Sequence, residues 1–409
     1  MSTAPRVVVS GLGQVSAAGL GREAMAAALV AAQPEPVEVD LSASYHLEGG
    51  ARRALLARSE SEIARWVPPM EARRFSRPSK LAVAAARMAL DDAGLAADAL
   101  AGPTAIVVAT TFGPSEFTER ILGQILADGP QGASPFLFTQ SVANAPAAQM
   151  AMVLGARGPN VTVTQREAGP LIALGRAVAE VASGRARAAV VAAVEEHSSL
   201  LHAVLNRFSA LAGSEGDDDV ARPFDRRRSG FVFAEGATAL ILEREDEVRA
   251  RGRRPLAACG LAVGAFDPAA PRTGWSRDPA VLAGVLEARL LAAGLSPDDI
   301  DFVVSGASGA VAGDRLEGAL LRRLWPGGPP PVFAPKGCLG EYGGGLLGPA
   351  VLAASGETLG PTAGFAEPDP EVGVVPHSGG PLEPPRRILA TGLAAGGAAA
   401  WMVLEAPEP

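Results

Sequence analysis

Sulfur and long apolar runs are both scarce in this 409-residue chain. Its two cysteines, Cys259 and Cys338, stand in no CxxC or Cys/His spacing, which argues against a disulfide scaffold and against a zinc site. No apolar stretch reaches the ~18 residues of a membrane span. Lys and Arg number 36 against 44 Asp and Glu, for a net charge of −8. Generic nucleic-acid binding is disfavoured, because counterion release needs clustered Lys and Arg. A strand begins almost at once, at Arg6, so no signal peptide is expected and the protein is expected in the cytoplasm.

What is present is a globular composition, 48% apolar and 20% charged. Its 48 Gly and 34 Pro are scattered, which predicts many tight turns rather than a low-complexity tail. The length suggests two similar domains or one large two-part fold. Arg6 to Ser10 reads as a buried strand ending in a turn at Gly11–Gly13. Gly11, Gly13 and Ala17 do not complete GxGxxG, so a dinucleotide site is not expected. Lys80 to Gly94 has a helical apolar face and a glycine stop. Buried strands are predicted over 104–110, 159–164, 188–194 and 237–243, with a helix over 169–183.

The charged stretch from Glu243 to Arg254 divides the chain into halves, 1–250 and 251–409. Both halves carry one phrase. A helix ends at Ala93-Gly94-Leu95 and at Ala293-Gly294-Leu295, an acidic turn follows, and a buried strand begins. Read as a duplication, this implies two βα-rich halves packed on each other.

Candidate chemistry is sparse. Thr162-Val163-Thr164-Gln165-Arg166-Glu167-Ala168-Gly169-Pro170 sits where a strand hands over to a helix, a common place for a nucleophile, yet it offers Glu167 and no Cys, Ser or Lys. Of the four histidines, His197 and His202 lie five apart, which suits neither a helix face nor a strand face as a metal pair. His377 lies in a Pro/Gly loop and is expected to be exposed. The basic run Arg73 to Lys80 reads as a solvated loop or a local anion patch.

Pro223-Phe224-Asp225, Arg228, Gly230-Phe231 and Glu235-Gly236-Ala237 form a longer pattern than a surface charge cluster explains. That segment resembles the β-ketoacyl synthase family, and the resemblance runs over nearly the whole chain. Ser141 to Ala147, Gly158-Pro159 and Gly396-Gly397 also match it. It implies an α/β, thiolase-like fold, with duplicated βα halves in a five-layer αβαβα arrangement. It also implies a catalytic Cys, which carries the acyl chain, and two His, which stabilise charge on decarboxylation.

Local spacing places these positions in this chain. The Cys lies eight residues after the Pro of Gly-Pro, which is Glu167. The first His lies eight before Asp314, at Gly306, and the second five after Lys336, at Glu341. Lys336 is retained, and the gating Phe becomes Ala395. With all three groups missing, the ordinary Claisen cycle is not expected. The pattern is most similar to the chain length factor, or ketosynthase β-subunit, of type II polyketide synthases, which usually carries Gln where Glu167 stands.

That likeness implies a non-catalytic subunit, inactive alone, with no cofactor and no metal. Its partner would be an active ketosynthase α-subunit, which supplies the acyltransferase chemistry and most contacts to acyl carrier protein. Ser115, Thr118 and Leu122 match the helix that sets tunnel depth and share one helical face. The dimer contact is expected along 160–164 and 136–144. A carboxylate at position 167 needs partners or a proton, and Lys336 or Arg166 is expected within ion-pair reach of Glu167 or Glu341. Two other readings stay open. One is a malonyl-acyl carrier protein decarboxylase or other acyl-thioester enzyme using Glu167, and the other is a scaffold without a tunnel.

Overall fold

The first strand, β1 (Val7–Ser16), runs through Gly11 and Gly13 without turning. This corrects the expected turn, and the reason is steric. A Cβ at Gly11 would sit 2.1 Å from the Ala89 carbonyl oxygen, and one at Gly13 would sit 2.0 Å from that of Ala85. The glycines let helix α1 (Arg77–Asp92) lie directly on the strand. The structure is a computed structural model that describes residues 5–42, 45–46, 50–216, 218–380 and 384–408. Arg77 opens α1 and donates to both oxygens of Glu235, at 3.1 and 2.8 Å. Lys80 reaches Glu60 at 2.5 Å. The basic run is therefore in part a helix start tied down by carboxylates, not a solvated loop.

Besides three two-residue strands, the first half holds β2 (Thr104–Ala109), β3 (Asn160–Val163), β4 (Ala188–Glu195) and β5 (Gly236–Arg244). The second half holds β6 (Ala257–Phe266), β7 (Phe302–Val304), β8 (Val332–Phe333), β9 (Arg387–Leu393) and β10 (Ala398–Glu405). The spatial order is β3-β2-β4-β5-β1 in the first set and β8-β7-β9-β10-β6 in the second. In each set the outer two pairings are parallel and the inner two antiparallel. Strand for strand, the two topologies are the same. They meet along Val8–Ala258 and Val9–Ala257.

Between β2 and β3 lie α2 (Ser115–Asp128), α3 (Pro135–Ser141) and α4 (Ala145–Leu154). Helix α5 (Gly169–Ala182) links β3 to β4, and α6 (Ser199–Arg207) follows β4. In the second half come α7 (Pro279–Ala292), α8 (Val311–Leu324), the single turn α9 (Lys336–Leu339) and α10 (Gly344–Ser355). Helices α5 and α10 hold equivalent places in the two repeats, and each packs against strands of both sets. Leu171, Leu174 and Val181 of α5 share one core with Leu346 and Val351 of α10. Each such buried side chain stabilises by roughly 1.5–3 kcal/mol. With α1 covering one strand set and α7 and α8 the other, the α/β layers read αβαβα.

Candidate functional site

Strand β3 ends at Val163, and a single tight turn over Arg166–Ala168 leads into α5. Arg166 adopts φ 41°, the left-handed region that a side chain normally avoids. Its guanidinium turns outward and Nη1 donates to the Ala395 carbonyl oxygen at 3.3 Å. Neighbours on the turn thus point apart, and Arg166 forms no ion pair with Glu167 among the described contacts. The backbone at Ala395, the position the resemblance gives to a gating Phe, is thus held by the residue before Glu167.

The Glu167 carboxyl is turned inward, and its Oε2 is buried without a hydrogen-bond partner. Burial, and then the nearby Glu341 charge, push the group up to about 7, against the weaker pull of Lys336. At neutral pH much of the population carries a proton there.

Glu341 is paired. Its Oε2 accepts from Lys336 Nζ at 2.7 Å, and the lysine side chain is 1% exposed. This is the cation contact that the spacing predicts for one of the two carboxylates. The pair is held by backbone on both sides, since Glu341 N donates to Val232 O and Ala234 N donates to Glu341 O. A buried amine and carboxylate therefore occupy the place that the resemblance gives to an imidazole.

Gly306 is closed in a different way. A Cβ there would lie 2.7 Å from the Thr391 carbonyl oxygen and 3.4 Å from Gly392 Cα. Backbone of β9 fills the space a histidine would need. Nearby, Glu317 is buried and accepts from Ser305 Oγ at 2.7 Å and from Thr391 Oγ1. Burial raises it to about 7. Asp314 receives the amides of Phe224 at 2.8 Å and of Ser308 at 3.1 Å, and burial raises it to about 6. Asp225 receives Ala366 N and Glu367 N, both at 2.7 Å, together with Arg227. The long motif around Pro223 is thus a backbone brace that ties its own loop to those at Ser308 and at Ala366–Glu367.

The helix expected to set tunnel depth is α2. Ser115 Oγ donates to Glu196 Oε1 at 3.0 Å, and Thr118 Oγ1 donates to Pro114 O at 2.9 Å. Leu122 faces outward and is exposed. Only Ile121 of α2 is buried. Leu126, Phe136, Phe138, Val142 and Met152 are exposed on α2, α3 and α4 and on the turn between the last two. Strand β3 is an edge strand of the sheet.

Other sequence candidates resolve differently. His197, His202 and His46 come together, with ring centroids 5.6 and 5.1 Å apart, and no group of three potential ligands among the described residues could hold a metal ion. Sequence reasoning had no signal for His46, which is distant in the chain. His377 is partly buried rather than exposed, its Nε2 unpartnered, because its backbone joins Val332 and Thr362. Both cysteines are free, and burial pushes the Cys338 thiol up to about 12, out of reach of thiolate chemistry. Sequence reasoning also missed Glu195 and Glu196 as partners of α2; they read only as acidic residues before a histidine.

The family model for the β-ketoacyl synthase N-terminal domain matches residues 4–248. A Mycobacterium tuberculosis 3-oxoacyl-(acyl-carrier-protein) synthase 2 is 30% identical, over 65% of this chain and 66% of that protein, just under two thirds of its length. A Streptomyces halstedii protein described as polyketide beta-ketoacyl synthase 1 is 29% identical over 98% of both chains. Among solved structures, the ishigamide ketosynthase/chain length factor is similar with a TM-score of 0.87 and 29% identity, covering 98% of this chain and 99% of that one. The chain belongs to the β-ketoacyl synthase family.

Proposed function

We propose that this member of the β-ketoacyl synthase family is a non-catalytic chain length factor. It would pair with an active ketosynthase α-subunit and shape the tunnel that sets polyketide chain length. The observation that carries the reading is the state of the three catalytic positions. Glu167 is a buried acid, Glu341 is neutralised by Lys336, and Gly306 is packed against backbone. None of the three positions offers the thiol that would take up an acyl chain or the imidazole that would stabilise an enolate.

The partner is supported by the unpartnered apolar surface of α2, α3 and α4 beside the open edge of β3. Such a patch marks an interaction site, and an open strand edge invites pairing. The similarity to a ketosynthase/chain length factor supports the kind of partner. In this reading the dimer contact runs along 160–164 and 136–144, Ser115, Thr118 and Leu122 of α2 line the tunnel, and acyl carrier protein docks mainly on the partner. No helix is long and apolar enough to cross a membrane among the described residues, and a cytoplasmic location fits the reading.

One observation favours a second reading. An inward carboxyl titrating near 7 with a free oxygen is poised for general acid–base work, as a malonyl-acyl carrier protein decarboxylase would require. The experiment that separates the two is malonyl-carrier turnover by this chain alone and with a Cys-bearing ketosynthase. The chain length factor reading predicts turnover only in the pair. Turnover by the chain alone, lost in Glu167→Ala, establishes the second reading.

A further inference from the structure

Helix α2 packs mainly on α3, through Phe117 against Phe136 and Thr118 Oγ1 to Ser141 O, and Ile121 is its single buried side chain, so its N-terminal end has little apolar anchoring. Its N-cap is Pro114, which has no side chain to cap the first turn. Something else must set where this helix stands. Two adjacent carboxylates at the end of β4 do so, and both are buried, Glu196 to 1% exposure.

They divide the segment between them. Glu195 takes the entry loop: Thr110 Oγ1 at 3.3 Å, Thr111 N, and Phe112 N at 3.3 Å. Glu196 takes the helix start, through Ser115 Oγ at 3.0 Å and Glu116 N at 2.7 Å. Thr110 Oγ1 closes the loop by accepting from Gly113 N at 3.0 Å. Thr110 N also donates to Val163 O at 3.1 Å, which ties the loop's first residue to β3, and the polar side-chain contacts of 111–116 then run to the two acids.

Neither carboxylate forms an ion pair among the described contacts. Around Glu196 stand Glu116 and Glu235, and Arg77, which also feels the Glu196 charge, is tied to Glu235. Burial pushes Glu195 up to about 7 and Glu196 up to about 8. The carboxyl oxygens accept from the α2 segment, and Glu196 Oε2 stays unpartnered.

We infer that Glu195 and Glu196 are positioning residues that fix the depth of the α2 N-terminus, and with it the point at which Ser115 stands against a growing chain. This rests on the chain length factor reading and adds a determinant outside the tunnel wall. Glu196 acts through Ser115 and touches no substrate.

The test uses the full chain as Glu196→Ala, Glu196→Gln and Ser115→Phe. Amide hydrogen exchange over 111–118 is followed in the chain alone, and product length is measured with a Cys-bearing ketosynthase. Gln keeps the acceptor oxygen and mimics the neutral acid. Glu196→Ala should raise exchange roughly fivefold to tenfold, the size of a lost cap, and broaden product length while the pair still forms. Glu196→Gln should restore both readings, which a bulk structural defect would not. If Ser115→Phe shifts product length but Glu196→Ala does not, the inference is overturned and the chain length factor reading survives. If Ser115→Phe has no effect, that reading falls and takes the inference with it.

Discussion

Lys336 Nζ stands 2.7 Å from Glu341 Oε2, with the lysine side chain 1% exposed and the glutamate 13%. The lysine stands five residues before the position that the resemblance gives to a histidine. Breaking a buried ion pair leaves a charge without compensation, whereas replacing both partners with apolar groups can be close to neutral. Lys336→Met strands Glu341 beside Glu167 and should cost about 3–5 kcal/mol. The double variant Lys336→Met/Glu341→Leu should recover much of that loss. Urea unfolding of the three proteins checks this, and equal stability of the single and double variants would contradict it.

The pH dependence of stability carries a definite sign. Folded Glu167 titrates at about 7, above its ordinary 4.5, so the native chain keeps a proton that the unfolded chain releases. The stabilising protonated form is fully present below 4.5 and is lost as pH rises toward 7. Glu195, Glu196 and Glu317 act in the same direction. Stability should therefore fall from pH 5 to pH 8. Glu167→Gln should make that fall shallower and stabilise the chain at pH 8 by on the order of 3 kcal/mol. A variant with an unchanged slope would show that Glu167 is ionised throughout.

Restoring the catalytic residues should fail at one position. Glu167→Cys and Glu341→His replace one side chain by another, but Gly306→His puts a Cβ 2.7 Å from the Thr391 carbonyl oxygen. Even Gly306→Ala should cost about 1–3 kcal/mol through overpacking. The triple variant, assayed by mass spectrometry with an acyl carrier substrate, should form no condensation product. Product formation would mean that β9 yields easily.

The apolar surface of α2 and α3 should matter to the pair and not to the fold. Leu126 is 86% exposed and Phe138 61%. Leu126→Asp and Phe138→Asp should leave the isolated chain within about 0.5 kcal/mol of its stability. Both should abolish co-purification with the ketosynthase. Retained pairing in both variants would move the interface elsewhere.

Much of this architecture is legible in the sequence, for identifiable reasons. The run Ala188 to Val194 is apolar throughout because β4 is buried on both faces, and the Ala-Gly-Leu phrase marks equivalent places in two matching topologies. The Lys336–Glu341 pair is local, and it is one of the pairings that the sequence leaves open. Gly11 and Gly13 mislead, since a glycine that admits a helix against a strand reads like one that makes a turn. The steric closure at Gly306 and the hold of Glu195 and Glu196 on α2 depend on residues some 80 positions apart, and no pattern along the chain reports them.

On the proposed reading the turn at Glu167 takes no part in the chemistry, and product length is set at α2. The most direct measurement is the product-length distribution of the reconstituted pair, compared among the unaltered chain, Glu167→Gln and Ser115→Phe. The account predicts unchanged products and rate for Glu167→Gln, and shorter products for Ser115→Phe. Loss of turnover in Glu167→Gln, or unchanged length in Ser115→Phe, would contradict it.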